Sequence, residues 1–170
     1  LIYKILVFLR LRRYVHPGSP SFSIQLMSSF TFPRAVRIPL LLALTGWLSS
    51  TAQAQTTLTE SFDAGTKAAL AAAAVTLGTG SWTFDDALLG TEAQDHRTGA
   101  QAARLQQRGT LTMDFFLPDG ASTVTVQHAA YGTDATAAFE LWYQTQGCPD
   151  WVRVGQPVVA TTYSLHTGSF

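Results

Sequence analysis

From residue 110 onward, apolar and polar side chains alternate with period two, the spacing that puts every second side chain on one face of a strand. In the first such segment Leu111, Met113, Phe115 and Leu117 share a face, with Thr110, Thr112 and Asp114 on the other. In the second, Val124, Val126, His128 and Ala130 alternate with Thr123, Thr125, Gln127 and Ala129. The third sets Phe139, Leu141 and Tyr143 against Ala138, Glu140, Trp142 and Gln144. Pro118-Asp119-Gly120 separates the first two segments. Proline presets φ and glycine accepts positive φ, so these two strands are expected to form a hairpin. Gly147-Cys148-Pro149-Asp150 predicts the same turn between the third segment and a strand over 151–154. Weaker patterns predict strands at 58–63, 80–89, 101–107 and 158–166. The alanine-rich run 68–74 has high helix propensity but is too short to hold a helix in water, so it predicts an irregular connection or a single turn. Short strands at this spacing predict an all-β domain, a β-sandwich rather than a barrel.

The first 54 residues have a different character. Met27 is followed by Arg34 and Arg37, an apolar run over 38–48, and Ser49-Ser50-Thr51-Ala52-Gln53-Ala54-Gln55. A basic start, a short apolar stretch and small residues at Ala52 and Ala54 predict a signal peptide over 27–54, cleaved after Ala54, and hence a secreted or periplasmic protein. The apolar run is well short of the roughly 20 residues that span a bilayer, so no permanent membrane anchor is expected. Residues 1–26, which begin with Leu1 and carry Arg10, Arg12 and Arg13, are expected to be a non-native or upstream extension. Residues 55–170 then form the mature domain.

Charge separates the two parts. The 170 residues carry equal numbers of acidic and basic side chains, yet residues 55–170 hold five basic against eleven acidic groups, a net of six negative charges. A surface of that sign repels phosphate backbones, which argues against direct nucleic-acid binding by this part. Cys148 is the sole cysteine, which excludes an intrachain disulfide and multi-thiolate metal sites.

A series of motifs runs through the mature part: Glu60-Ser61-Phe62-Asp63, Gly80-Ser81-Trp82-Thr83-Phe84-Asp85-Asp86, Ala103-Arg104-Leu105, Gly109-Thr110-Leu111, Ala130-Tyr131-Gly132, Glu140-Leu141-Trp142-Tyr143 and Trp151-Val152-Arg153-Val154-Gly155. In this order they resemble the N-terminal jelly-roll accessory domain of secreted DNA/RNA non-specific endonucleases of Bacteroidetes-type bacteria. The resemblance covers nearly all of 56–170. It implies a galactose-binding-like jelly roll, incomplete at the C-terminus, that is not itself catalytic, with the metal-dependent nuclease domain of the parent protein downstream. The alternative reading is a carbohydrate-binding module of another exported protein. Expected partners are a polysaccharide or the downstream catalytic domain.

Individual residues add little catalytic promise. Asp95-His96-Arg97 lacks the Asp-Arg-Gly-His order of those endonucleases and reads as a loop with local ion pairing. Asp85 and Asp86 are neighbours on a strand, so they point to opposite faces and do not form an acid–base pair. No catalytic residue is assigned. Glu60 and Asp63 are candidate ligands for a structural calcium, because jelly-roll domains of carbohydrate-binding type often hold one between their first and last strands; calcium needs six to eight oxygens. His128 lies on the apolar face of its strand and reads as a buried, hydrogen-bonded histidine. Trp82, Trp142 and Trp151 are possible stacking platforms for a sugar. Trp142, opposite the face of Phe139 and Leu141, is the best placed for sugar contact.

Overall fold

The structure, a computed structural model, describes residues 57–117, 120–132, 137–160 and 164–170 with their side chains, and the backbone of 11–14 and 22–29. The described residues form ten strands: β1 (Leu11–Tyr14), β2 (Phe22–Ser29), β3 (Thr57–Glu60), β4 (Ala73–Leu77), β5 (Gly80–Gly90), β6 (Ala102–Met113), β7 (Thr123–Ala130), β8 (Ala137–Tyr143), β9 (Val152–Ala160) and β10 (His166–Ser169). A single 3-10 turn, Ala93–Asp95, is the only helical element among them. The fold is all-β, and every strand pair is antiparallel. Among the described residues no helix is long and apolar enough to cross a membrane. The apolar run 38–48 and the cleavage position after Ala54 lie outside the described residues.

The long strand β6 organises the molecule. One edge pairs with β5 along its length; the other pairs with β2 through 103–105 and with β1 through 110–111. The change of partner falls at a bulge. Asp85 pairs with Thr110 and Ala87 with Leu105, so Asp86 alone on β5 faces Gln106, Gln107, Arg108 and Gly109 on β6. Asp86 and Gln107 both have positive φ there, and Gly109 is packed so closely that a Cβ would lie 2.6 Å from the Asp86 carbonyl oxygen. A bulge of this kind bends a strand and lets it serve two differently oriented groups of neighbours. From β6 the pairing runs outward through β2 to β7 and β10 on one side, and through β1 to β8 and β9 on the other. β3 pairs with β2, and β4 with β5.

The core is filled by the apolar face that the period-two pattern predicts, on β4, β5, β6, β7 and β8. Phe62, Trp82, Phe84, Leu105, Leu111 and Phe139 are fully buried. Phe62 meets Trp82 edge to face at 5.7 Å and Phe84 at 6.3 Å. The indole Nε1 of Trp82 donates to Thr79 Oγ1 at 3.0 Å, so its polar edge is satisfied inside the core.

Three strand expectations change, besides the joining of the segments predicted at 101–107 and from 110 into β6, which ends at Met113 and leaves Phe115 and Leu117 outside it. β6 and β7 are not a hairpin: β6 pairs with β5, β2 and β1, and β7 with β2 and β10. The Gly120 amide does close a turn onto the Leu117 carbonyl at 3.0 Å, although Pro118 and Asp119 lie outside the described residues. Leu111 and Val126, on either side of that turn, both face the core. Second, β4 occupies the end of the alanine-rich run, paired to β5 from Ala73↔Phe84 to Leu77↔Gly80; a neighbouring strand supplies the hydrogen bonds that the local sequence could not. Third, the predicted strand 158–166 is split between the end of β9 and the start of β10.

Candidate functional site

The β8–β9 hairpin forms as the sequence predicts, with Leu141↔Val154, Trp142↔Arg153 and Tyr143↔Val152 in register. Its turn is closed by the Cys148 amide on the Thr145 carbonyl at 3.0 Å, with Gly147 at φ 82°. Alternation along β8 turns Phe139 and Leu141 inward and Glu140 and Trp142 to the opposite face. There the Trp142 Nε1–H donates to Glu140 Oε2 at 3.0 Å, and Arg153 Nη1 donates to Glu140 Oε1 at 2.9 Å. Glu140 thus holds the indole and the guanidinium side by side, and is itself only 9% exposed beneath them. A half-buried indole fixed by its nitrogen, with a cation beside it, can stack on an apolar sugar face while the guanidinium donates to hydroxyls. Glu140 and Arg153 were not singled out in the sequence; the hairpin register, which sets Arg153 opposite Trp142, is the signal that finds them.

On the inner side of the same hairpin, Leu141, Tyr143 and Val154 meet Val124, Ala121 and Phe170 around a cleft of about 250 Å³. Its lining is mostly apolar, with Ser122 and Thr123 contributing polar groups. Trp82, buried in the core, is not available as a platform.

The two calcium candidates serve different segments. Glu60 is 3% exposed; its Oε1 accepts the Phe62 amide at 2.8 Å, and its Oε2 accepts the Thr79 amide at 2.9 Å and the Thr79 hydroxyl at 2.7 Å. Asp63 lies on the surface, and its Oδ1 accepts the amides of Ala100 at 2.6 Å and Gln101 at 3.0 Å. Each carboxylate thereby ties a loop to the segment after β3. No group of three or more His, Cys, Asp or Glu side chains among the described residues is placed to share a metal ion.

The Asp95-His96-Arg97 loop is ion-paired not within itself but to Arg104 of β6. Asp95 is fully buried and accepts from Arg104 Nε and Nη2, both at 2.6 Å, and from the Glu92 amide at 2.8 Å. The Arg104 guanidinium lies 4.3 Å from the centre of the Tyr131 ring, and Glu92 accepts from both Arg104 and the Tyr131 hydroxyl. Bonding to Asp95 raises the Arg104 pKa, and the Tyr131 hydroxyl followed by Arg104 holds the Glu92 carboxyl below its ordinary range. Asp85 and Asp86 sit at the β5 bulge. His128 is 3% exposed, but its Nδ1 has no hydrogen-bond partner, contrary to the hydrogen-bonded histidine expected. No protein-family model, curated protein or solved structure matches the chain.

Proposed function

We propose that the chain is a non-catalytic accessory module of an exported protein, a jelly-roll β-sandwich of the kind that, in the secreted endonucleases it resembles, leads a downstream nuclease domain. The observation that carries the non-catalytic reading is the use made of its chemistry-bearing side chains. Glu60, Asp63 and Asp95, which a catalytic or metal-binding reading would need free, each accept two or more hydrogen bonds from this chain's own backbone or side chains. Their role is to hold loops in place. Link to a nuclease, the signal peptide over 27–54 and secretion rest on the sequence pattern. The test is to incubate the full chain with plasmid DNA and with RNA in magnesium and in calcium. No cleavage above a mock purification is expected; cleavage that disappears in His96→Ala would overturn the reading.

A second reading, carbohydrate binding, is favoured by one observation, the fixed Glu140–Trp142–Arg153 arrangement on the outer face of β8 and β9. Titration with soluble polysaccharides, followed by tryptophan fluorescence, is expected to show saturable binding that Trp142→Ala abolishes. Equal binding by the variant would remove Trp142 from any such site.

A further inference from the structure

β10 is a short strand that carries one histidine, His166, and lies over another, His128. Among the described residues it pairs with β7 alone, from His166↔His128 to Ser169↔Thr125. Beyond it, the Phe170 amide donates to the Val124 carbonyl at 2.9 Å, and the Phe170 ring meets Phe139 edge to face at 6.0 Å. Four residues on one neighbour are a modest attachment for a strand.

The His128 ring lies under this strand. It is held edge to face against Phe139 at 4.9 Å and lies 6.3 Å from the His166 ring. Gly168 of β10 covers its Nε2, which would be 3.4 Å from a Cβ at that glycine. Its Nδ1 is buried without a partner. The ionisable groups around it are few. His166 is the only one on β10, and β7 carries none besides His128 itself. β2, on the other side of β7, has no ionisable residue in its sequence. On β8 it is Phe139 that faces the ring, while Glu140 is turned to the opposite face and engaged with Arg153. Among the described residues no carboxylate is placed to stabilise a charged imidazole.

We propose that the His128–His166 pair is a proton-operated latch: with both rings neutral β10 closes the edge of β7, and a proton taken from solvent by His128 releases it. A protonated ring carries two N–H donors, and here one would be buried with no acceptor while the other would press against Gly168. A charge on His166 adds repulsion across the strand pair. Burial first, and then His166, lower the His128 pKa from 6.5 to about 4 while β10 is in place. Departure of β10 opens the ring edge to water and returns it toward its ordinary value. The folded pKa is the lower of the two, so the closed state is favoured above pH 6.5 and loses that advantage as the pH falls from 6.5 to about 4. Within that window the opening equilibrium rises by up to about tenfold per pH unit.

The test is amide hydrogen exchange of the full chain between pH 7 and pH 4, corrected for intrinsic rates, with β5 and β6 as internal reference. Protection of the Phe170 amide is expected to fall by up to about tenfold per pH unit below 6.5 while β5 and β6 remain protected, and His128→Phe should abolish that slope. The proposal is overturned if β10 protection is flat, if it falls in step with β5 and β6, or if His128→Phe shows the wild-type slope. Should that variant not fold, NMR titration of the His128 ring in the wild-type chain decides. A ring neutral to below pH 5 supports the latch, and titration near 6.5 with β10 still protected removes it.

Discussion

Two ion pairs that look alike as residue pairs differ in what surrounds them. Asp95 is fully buried and bound by both Arg104 Nε and Nη2, whereas Arg153 is 41% exposed on its side of the pair with Glu140. Removing a partner from a buried carboxylate leaves an uncompensated charge, so Arg104→Ala is expected to cost about 3 kcal/mol. The Arg153 guanidinium is exposed and buried Glu140 keeps the Trp142 Nε1 donor when it is removed, so Arg153→Ala should cost less, about 1–2 kcal/mol. Urea unfolding of both variants, followed by tryptophan fluorescence, checks the ranking; equal losses would contradict it. Glu60 belongs with Asp95. Its carboxylate takes three donors and, through the Thr79 hydroxyl, reaches Trp82 Nε1. Glu60→Ala strands two buried or half-buried amides, and a loss of about 3 kcal/mol is expected in the same experiment. Lys67 is a further such anchor. Its ammonium donates to the carbonyls of Ala71 and Ala87, each at 2.8 Å, and to that of Ala69, which explains how an alanine-rich loop without side-chain polarity is held against β5.

At the scale of elements, the bulge between β5 and β6 and the turn between β8 and β9 are two glycine-dependent features with different physics. Gly109 meets backbone: a Cβ there would lie 2.6 Å from the Asp86 carbonyl oxygen, and a main chain fixed in two strands cannot move aside cheaply. Gly147 has nothing within 4 Å of a Cβ but adopts φ +82°, so only conformational strain opposes substitution. Gly109→Ala is therefore expected to lower stability by about 2–3 kcal/mol, and Gly147→Ala by about 1 kcal/mol. Thermal unfolding of the pair tests this; a larger loss at Gly147 would mean that the bulge tolerates a side chain. The hairpin around Gly147 was legible in the sequence because two period-two segments and their turn are adjacent. The bulge was not, since what demands it is the change of neighbour from β2 to β1 along β6, a property of strands distant in sequence.

For the whole molecule, the strands before residue 30 matter most. β2 lies between β7 on one side and β3 and β6 on the other, and β1 lies between β6 and β8. Cleavage after Ala54, the position that the export reading expects, would separate both strands from the rest. Unpaired edges on β6, β7 and β8 expose backbone donors and acceptors and invite association with other chains. A full chain carrying a specific protease site at residue 54, cut and then freed of its N-terminal piece, should show a lower urea midpoint and increased light scattering. An unchanged midpoint would show that β1 and β2 contribute nothing to the stability of the body.

The sequence alone determined the all-β class, the inward faces of β7 and β8, the β8–β9 hairpin and the outward position of Trp142, because alternation and turn chemistry act between residues close along the chain. It also marked His128 as buried. Strand order, the separation of β6 from β7, the pairing of β4, and the partners of Glu60, Asp63 and Glu140 were decided by tertiary structure. Each of these depends on which distant backbone supplies the missing hydrogen bond or which distant side chain fills the facing space, and no local pattern carries that information.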